Sequence, residues 1–326
     1  MKILVRLPNW LGDMVMSVGA VHQLPHFFPG AEVSVIAKKG IHDLLSFFPP
    51  TAHQFVFSKD EYPGVKGLWE FGRKIRRTEK FDLFISLPDS FSAALMGYAT
   101  GAKKRIGYKK EGRNVLLTNA FSKGGGLHRV EEYVQLLERY TGGQRREMNV
   151  VLQHQFPKQN HLVVNINSEA SSRRLTVAKA VEVLNEIRNT YTNPIVLIGG
   201  KQEKDFVEEV FQKLANRQGI ETVAGKTSLS QLVQILASAQ LVLTTDSGPA
   251  HLANALGTET VVLFGAGNEN NTAPFDKTKL QVIRLGKLSC EPCTKNVCIQ
   301  FGTPQCLELL ETEKILLAMT QKLASK

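Results

Sequence analysis

The chain has 326 residues, of which 43% are hydrophobic and 21% are charged, as in ordinary soluble globular proteins. This length favours two domains, and no apolar run approaches the roughly 18–20 residues that a membrane-spanning helix needs. The formal net charge of +10 calls for a negatively charged partner, for which nucleic acid, an anionic membrane surface and a phosphorylated substrate all qualify. No sequence signature of a nucleic-acid-binding motif is present, so we expect no nucleic-acid partner.

The first residues predict a strand followed by a turn. The apolar run KILVRL predicts a buried strand, which ends at Pro8 and Asn9. Asp13 then lies beside Gly12 inside the next apolar segment, and its charge interrupts the hydrophobic region that a signal peptide would need. We therefore expect a cytoplasmic protein. Taken alone, Asp13 suits a helix N-cap, with Gly12 allowing the turn.

The rest of the first half alternates strands and helices. Strands are predicted for EVSVIA, QFVFS and DLFISL. The segment KGLWEFGRKIRR (residues 66–77) has the pattern of an amphipathic helix with a basic face, and KKRIGYKKEGR (residues 103–113) is interpreted as a basic loop. A plain solvated surface is the favoured interpretation of both basic segments, with contacts to anionic lipid or substrate phosphates as the alternative.

The domain organisation follows from where this pattern restarts. The helix HRVEEYVQLLERYTGG is predicted to end at its glycine pair, and QHQFPKQNH (residues 153–161) has the composition of a linker. Strands LVVNIN, PIVLIGG, LVLTTD and TVVLFG then alternate with helices, which predicts parallel sheets. We expect a Rossmann-like domain over residues 1–155, a second over residues 160–326, and a last helix that packs back on the first domain. Ligands in such sheets bind beyond the carboxyl ends of the strands.

The strongest local pattern is LVLTTDSGPAHLANALG, a strand, a sharp turn and a helix. Pro249 suits the first turn of a helix, where its missing N–H costs nothing. Ser247 and Gly248 then lie at a helix N-terminus, which attracts a pyrophosphate, and His251 can face the same anion. The alternatives are helix capping by Asp246 and Ser247 and a histidine that only packs.

All four cysteines lie in the segment CEPCTKNVCIQFGTPQC, at Cys290, Cys293, Cys298 and Cys306. A structural zinc site, reduced thiols and occasional disulfides are all compatible with this spacing. Disulfides are less favoured in a cytosolic protein. We expect no catalytic role for these residues.

Two segments, DSGPAHLANALGTETVVLFG and NWLGDMVMS, closely resemble the ADP-heptose:lipopolysaccharide heptosyltransferases, glycosyltransferase family 9. The segments FDLFISLPDSFSAAL, RIGY, HRVEEY and GKTSLSQLVQILASAQLVLTTDSG are similar to this family as well, so the resemblance covers essentially the whole chain. It implies an α/β GT-B fold, in which two Rossmann-like domains face each other across a cleft. The C-terminal domain would hold the nucleotide-sugar and the N-terminal domain the acceptor. It also implies an inverting transfer with no metal or other cofactor.

The resemblance further implies roles for particular residues. The family's catalytic base, an Asp after Gly near the first strand, falls on Asp13. Its diphosphate loop falls on Asp246, Ser247, Gly248 and His251. A basic residue that contacts the diphosphate falls on Arg173, within Arg173-Arg174-Leu175, where many members have Lys-Arg-Trp or Lys-His-Trp. Arginine keeps the charge and can bind phosphate through two hydrogen bonds.

Weaker expectations complete the two binding sites. Ser168 is a second candidate for a phosphate contact. Lys226 and Thr227 are candidates near the nucleoside, although they also suit a plain helix start. The implied acceptor is the lipopolysaccharide core at the cytoplasmic face of the inner membrane, where the enzyme would be peripheral. Its predicted contacts are Trp10, Gly12, Lys103, Lys104 and Arg105, with loop packing as the alternative for Trp10.

Two other functions fit the sequence. One is a GT-B transferase that uses another nucleotide-sugar or another lipid-linked acceptor, which the departure at Leu175 allows. The other is a binding protein without catalytic activity. That second function predicts a damaged base, whereas Asp13 is intact.

Overall fold

The computed structural model describes residues 1–110 and 112–324. The chain divides into two compact units, Met1–Gln153 and His154–Lys326. Each unit is built on one six-stranded parallel sheet. The predicted pair of doubly wound α/β sheets is therefore confirmed.

The sheet of the first unit has the strand order β3-β2-β1-β4-β5-β6. Its strands are β1 (Lys2–Arg6), β2 (Glu32–Lys38), β3 (Gln54–Phe57), β4 (Leu83–Ser86), β5 (Lys104–Tyr108) and β6 (Asn119–Phe121). Its helices are α1 (Leu11–Phe27), α2 (Gly64–Thr78), α3 (Phe91–Ala99) and α4 (Arg129–Thr141). The central strands are continuous apolar runs because helices cover both faces of a parallel sheet.

One prediction about this sheet is wrong. The segment interpreted as a basic loop contains β5, which pairs with β4 and with β6. The basic residues at the start of this strand made the segment resemble a loop. Lys104 is exposed there, whereas Ile106 and Tyr108 are buried in the sheet. The amphipathic helix with a basic face is confirmed as α2, which buries Phe71 and Ile75.

The sheet of the second unit has the order β12-β11-β10-β7-β8-β9. Its strands are β7 (Leu162–Asn165), β8 (Ile195–Leu197), β9 (Ile220–Thr222), β10 (Leu241–Thr245), β11 (Glu259–Phe264) and β12 (Leu280–Arg284). Its helices are α5 (Val177–Thr190), α6 (Lys204–Gln212), α7 (Leu229–Ser238), α8 (Gly248–Ala255), α9 (Glu269–Thr272), α10 (Gln305–Glu308) and α11 (Thr312–Ala324). The sequence analysis did not identify β5, β6, β9 or β12.

The two ends of the second unit are fixed by contacts within it. His154 binds the carbonyl oxygen of Leu256 at 3.0 Å, and Lys158 donates to Thr258 at 2.7 Å. His154 and Lys158, within residues 153–161 that were predicted to be a linker, are therefore bound to the second unit. The last helix, α11, packs against α5, β10, β11 and β12. Its packing on the first domain stays a prediction.

Both sheets reverse their direction of winding at one place. In the first sheet the chain winds outward from β1 in one direction and from β4 in the other, and in the second it does so from β7 and β10. The crevice at the carboxyl ends of such a strand pair is where open α/β sheets bind ligands. In the part of the chain that the structure describes, no helix has the length and apolarity needed to cross a membrane.

Candidate active site

Asp13 lies at the point of reversal in the first sheet. It belongs to the first turn of α1, which starts five residues after β1 ends. The loop between them is held by Arg6, whose buried guanidinium donates to the side-chain oxygen of Asn9 and, at 3.2 Å, to the carbonyl oxygen of Ile36. Asp13 makes none of the capping bonds considered for it, because the N-cap position is occupied by Trp10.

Trp10 and Gly12 flank the carboxylate in sequence. The Trp10 side chain is 59% exposed, and the ammonium group of Lys38 lies 5.9 Å from the centre of its ring. Gly12 occupies the first helical turn with Asp13. Acceptor contact and loop packing by Trp10 therefore both stay predictions.

Asp13 is half-buried among charged and polar groups from α4. The Nε atom of Arg129 lies 3.9 Å from Asp13 Oδ1, and the buried Tyr133 lies one turn further along α4. Burial raises the pKa of Asp13 above its usual value, while the positive charges of Arg129 and Lys123 oppose this rise. A carboxylate with a raised pKa accepts a proton more readily, as a general base must.

The second site lies at the reversal point of the other sheet. Asn165, at the end of β7, donates its side-chain amide to Ser247 Oγ at 2.9 Å and to Thr244 Oγ1 at 3.0 Å. Ser247 occupies the N-cap position of α8, yet its side chain makes no capping hydrogen bond. Its hydroxyl instead donates to the carbonyl oxygen of Thr245. The capping alternative for Ser247 is therefore wrong.

Asp246 and Arg173 meet at this reversal point. Asp246 is only 4% exposed, and its Oδ2 atom lies 3.2 Å from Arg173 Nη1. Burial raises the pKa of Asp246, and the charges of Arg173 and Arg284 oppose the rise. Asp246 therefore fixes the position of the Arg173 guanidinium. The capping alternative for Asp246 is also wrong.

Of the other residues predicted to bind the nucleotide-sugar, two lie near this reversal point and two lie away from it. Ser168 and His251 are buried, the first just after β7 and the second in the first half of α8. Lys226 and Thr227 follow the edge strand β9, two strands away from β7. Among the described residues, no contact joins either of them to the Asp246–Arg173 pair; Lys226 donates to the carbonyl oxygen of Thr222.

Thr227 lines a separate cavity of about 610 Å³. This cavity also contacts His161 and Pro194, which precede β7 and β8. It therefore extends towards the amino ends of the strands, away from Asp246 at the carboxyl ends. This cavity is therefore not the predicted phosphate site.

The structure does not bring Lys103 and Arg105 to Asp13. They lie at the amino end of β5, whereas Asp13 follows the carboxyl end of β1, and all strands of this sheet are parallel. Lys103 pairs with Asp82 at 2.7 Å, and the Arg105 guanidinium donates to the carbonyl oxygen of Ala102 at 2.7 Å. Their contact with an acceptor stays a prediction, on the opposite edge from the carboxylate.

The four cysteines line one small cavity and are all free thiols. Burial raises the pKa of Cys306 to about 11, so this thiol stays protonated. Within the described residues, the three metal-ligating side chains that approach within 4.8 Å of one another are instead Glu32, His53 and Glu79. Lys2 already pairs with both of these glutamates. Zinc binding by the cysteines stays a prediction.

Several residues of these sites were not identified from the sequence. Arg129 and Tyr133 were quoted only within HRVEEY, and Asn165 only within a strand. Gly267 is a further one, since a Cβ atom there would lie 1.9 Å from Asp246 Oδ2. Only Arg129 and Tyr133 could have been paired from the sequence: they are four residues apart in a predicted helix, and residues with this spacing lie on one face of the helix.

Comparisons with known proteins agree with this geometry. Residues 68–302 match the sequence profile of Glycosyltransferase family 9 (heptosyltransferase). The chain is 28% identical to lipopolysaccharide heptosyltransferase 2 of Salmonella typhimurium, over 87% of this chain and 88% of that protein. It is 24% identical to lipooligosaccharide heptosyltransferase 2 of Campylobacter jejuni, over 97% and 96% of the two chains.

A solved structure shows the same fold. The E. coli ADP-heptose lps heptosyltransferase II superposes with a TM-score of 0.84 at 24% identity, covering 99% of each chain. The predicted GT-B class, with its two Rossmann-like domains, is confirmed by this match. Because the family profile spans most of the sequence, this chain belongs to glycosyltransferase family 9, the heptosyltransferases.

Proposed function

We propose that this enzyme moves a heptose from ADP-heptose to the inner core of lipopolysaccharide, with inversion at the anomeric carbon and with Asp13 as the general base. The observation that carries the proposal is the position of Asp13 at the reversal point of the first sheet in a member of this family. The names of the relatives support the donor and the acceptor.

The first step of the reaction takes place on the acceptor. A hydroxyl oxygen of the acceptor attacks the anomeric carbon from the face opposite the leaving group, and the Asp13 carboxylate accepts the hydroxyl proton. The bond from the anomeric carbon to the phosphate oxygen breaks, and ADP leaves with the bonding electron pair. One bond forms, one breaks, and the proton rests on Asp13 until solvent removes it. Such proton transfer contributes about 10²–10⁴-fold to a rate.

The second unit supplies charge for the leaving ADP. Arg173 is only partly exposed, and its ion pair with Asp246 orients it at the carboxyl end of β7. The N-terminus of α8, which begins at Gly248, presents the positive end of a helix dipole. In the proposed reaction these fixed groups, with Ser168 and His251 beside them, stabilise the negative charge that develops on the diphosphate. No step of this proposal assigns a role to a metal ion.

The departure from the family pattern at Leu175 has a packing explanation. Leu175 is 2% exposed, belongs to the apolar core of the second unit and donates its N–H to the carbonyl oxygen of Ile166. It therefore fills the core and does not face the donor. This burial weakens the main argument for a transferase that uses another nucleotide-sugar.

We also propose that the enzyme works at an anionic membrane surface. Trp69 of α2 and Tyr98 of α3 are exposed, and their ring centres lie 5.9 Å apart. The guanidinium of Arg105 lies 5.2 Å from the Tyr98 ring. Exposed arginines of α2, namely Arg73, Arg76 and Arg77, extend the positive charge. Aromatic side chains beside basic ones favour the lipid headgroup region.

The proposed function is tested by measuring ADP release from ADP-heptose with heptose-deficient lipopolysaccharide as the acceptor. Release is expected only when donor and acceptor are both present. ADP-glucose and a lipopolysaccharide that already carries its heptoses serve as controls. Binding of ADP without any acceptor-dependent release would contradict the proposal and favour a binding protein.

A further inference from the structure

We propose that Arg129 is the positioning residue for Asp13, fixed in place by Glu132. This inference rests on the proposed role of Asp13 as the base. It assigns a role to two residues of the HRVEEY segment, neither of which is placed in contact with substrate.

The geometry of Arg129 supports this role. Its Nη1 atom donates to Glu132 Oε2 at 2.9 Å, so this edge of the guanidinium is occupied. Its Nε atom is buried without a hydrogen bond, and Asp13 Oδ1 lies 3.9 Å from it. Because a buried donor without a partner is costly, the guanidinium is held facing the carboxylate.

A second layer of charges fixes Glu132. Lys123 lies 3.2 Å from Glu132 Oε2 and 2.6 Å from Asp89 Oδ2. Asp89 follows β4, the other strand at the reversal point of the first sheet. The row Asp13, Arg129, Glu132, Lys123 and Asp89 therefore alternates in charge and joins the segments that follow β1 and β4.

Helix packing brings this row to Asp13. A Cβ atom at Gly19 of α1 would lie 2.7 Å from Val130 Cγ1, closer than carbon atoms pack, so glycine allows α4 to approach α1. At the start of α4, His128 accepts from the N–H of Val130 at 3.2 Å, and Glu131 accepts from the N–H of His128 at 3.0 Å. This capping box fixes the first turn, which carries Arg129.

Each group that faces Asp13 has a defined electrostatic effect. Burial raises the pKa of Asp13; the Arg129 and Lys123 charges and the Tyr133 hydroxyl lower it, and the Glu132 charge raises it. Removing the Arg129 charge must therefore raise the pKa of Asp13 further. A contact between an arginine and a carboxylate shifts the pKa by about 1–3 units, and we expect about 1 unit at this half-exposed site.

The test is a titration of Asp13 by NMR of protein carrying ¹³C-labelled aspartate, without substrates. The Asp13 signal is assigned by its absence in Asp13→Asn. The Asp13 pKa should rise in Arg129→Met. Arg129→Lys, which keeps the charge, should restore most of the value. Arg145→Met is the matched control, because Arg145 pairs with Glu131 and Glu138 of α4 and has no ion pair with Asp13.

Kinetics separate positioning from acceptor binding. In Arg129→Met, the acidic limb of kcat against pH should move upward by the same amount as the titration, so activity partly recovers at high pH. An unchanged Asp13 titration in Arg129→Met would overturn the inference, as would a rise in acceptor KM with an unchanged pH profile. The titration is measured without catalysis. It can therefore confirm that Arg129 acts on Asp13 even if Asp13→Asn proves active, a result that would contradict only the role of Asp13 as the base.

Discussion

Arg173 Nη1 lies 3.2 Å from Asp246 Oδ2, and this pair joins the ends of the two strands at which the second sheet reverses. The arginine comes from the segment after β7 and the aspartate from the residue after β10. Because Asp246 is buried and cannot turn away, it determines where the guanidinium points. The pair is thus fixed close to the start of α8, where we propose that Arg173 contacts the diphosphate of the donor.

Replacement of Arg173 should weaken nucleotide binding. A charged hydrogen bond contributes about 1.5–3 kcal/mol, so Arg173→Met should raise the Kd for ADP by about 10- to 100-fold. Isothermal titration calorimetry with ADP measures this change. Arg174→Met is the matched control, since the Arg174 guanidinium lies 4.9 Å from the Phe206 ring and not against Asp246. Equal Kd values for the two variants would contradict the assignment.

A methyl group at Gly267 should disturb the same ion pair. In Gly267→Ala the new Cβ would lie 1.9 Å from Asp246 Oδ2, so either the loop or the carboxylate must move. Overpacking of this kind costs about 1–3 kcal/mol. Thermal unfolding should therefore occur at a lower Tm, with weaker ADP binding. Gly125→Ala, where a Cβ meets nothing within 4 Å, should leave both unchanged; a Gly267→Ala protein that behaves like this control would disprove the close approach.

The raised pKa of Asp13 predicts how stability depends on pH. Burial raises the pKa of Asp13 in the folded protein above its unfolded value. The folded state therefore binds this proton more tightly, and the stability gained from it is lost as pH rises through the folded pKa. Asp13→Asn should thus be more stable than the wild type at neutral pH, and the difference should vanish below the unfolded pKa. Urea unfolding across this pH range measures it; a difference that grows towards low pH would contradict the raised pKa.

Charge reversal on α2 should weaken binding to anionic vesicles. Each basic residue near such a surface contributes about 1 kcal/mol, so Arg73→Glu with Arg76→Glu should reduce binding by well over tenfold. Co-sedimentation with phosphatidylglycerol-containing vesicles reports this. Lys213→Glu serves as the control, because it reverses a positive charge at the exposed end of α6. This variant should bind the vesicles normally. Retained binding by the α2 variant would place the membrane contact elsewhere.

Much of the fold was predictable because most of its strands lie in apolar runs. Three of the four missed strands were short or charged: β6 and β9 have three residues each, and β5 begins with Lys104 and Arg105. The fourth, β12 (LQVIR), mixes polar and apolar residues. Periodicity is weak over so few residues. Charged residues at the end of a strand are also easily interpreted as a loop, because their side chains are exposed to solvent as those of loop residues are.

The sites were predictable at the strand ends and unpredictable where distant segments meet. Asp13 and Asp246 follow apolar runs directly, so sequence position indicated them. Arg129 reaches Asp13 only because α4 packs on α1, and Gly267 matters only because its loop passes over Asp246. Such contacts between distant segments leave no local pattern. Lys103 and Arg105 were predicted to contact the same acceptor as the residues around Asp13, because the sequence does not show at which edge of the sheet a segment lies. The parallel pairing of the strands places them at the other edge.

The most direct test of the account is the rate of heptose transfer by Asp13→Ala and Asp13→Asn under saturating ADP-heptose and heptose-deficient lipopolysaccharide. If Asp13 is the general base, both variants should lose about 10²–10⁴-fold in kcat while their Kd for ADP stays at the wild-type value. A kcat within a few-fold of wild type in either variant, with ADP still bound, would contradict the account.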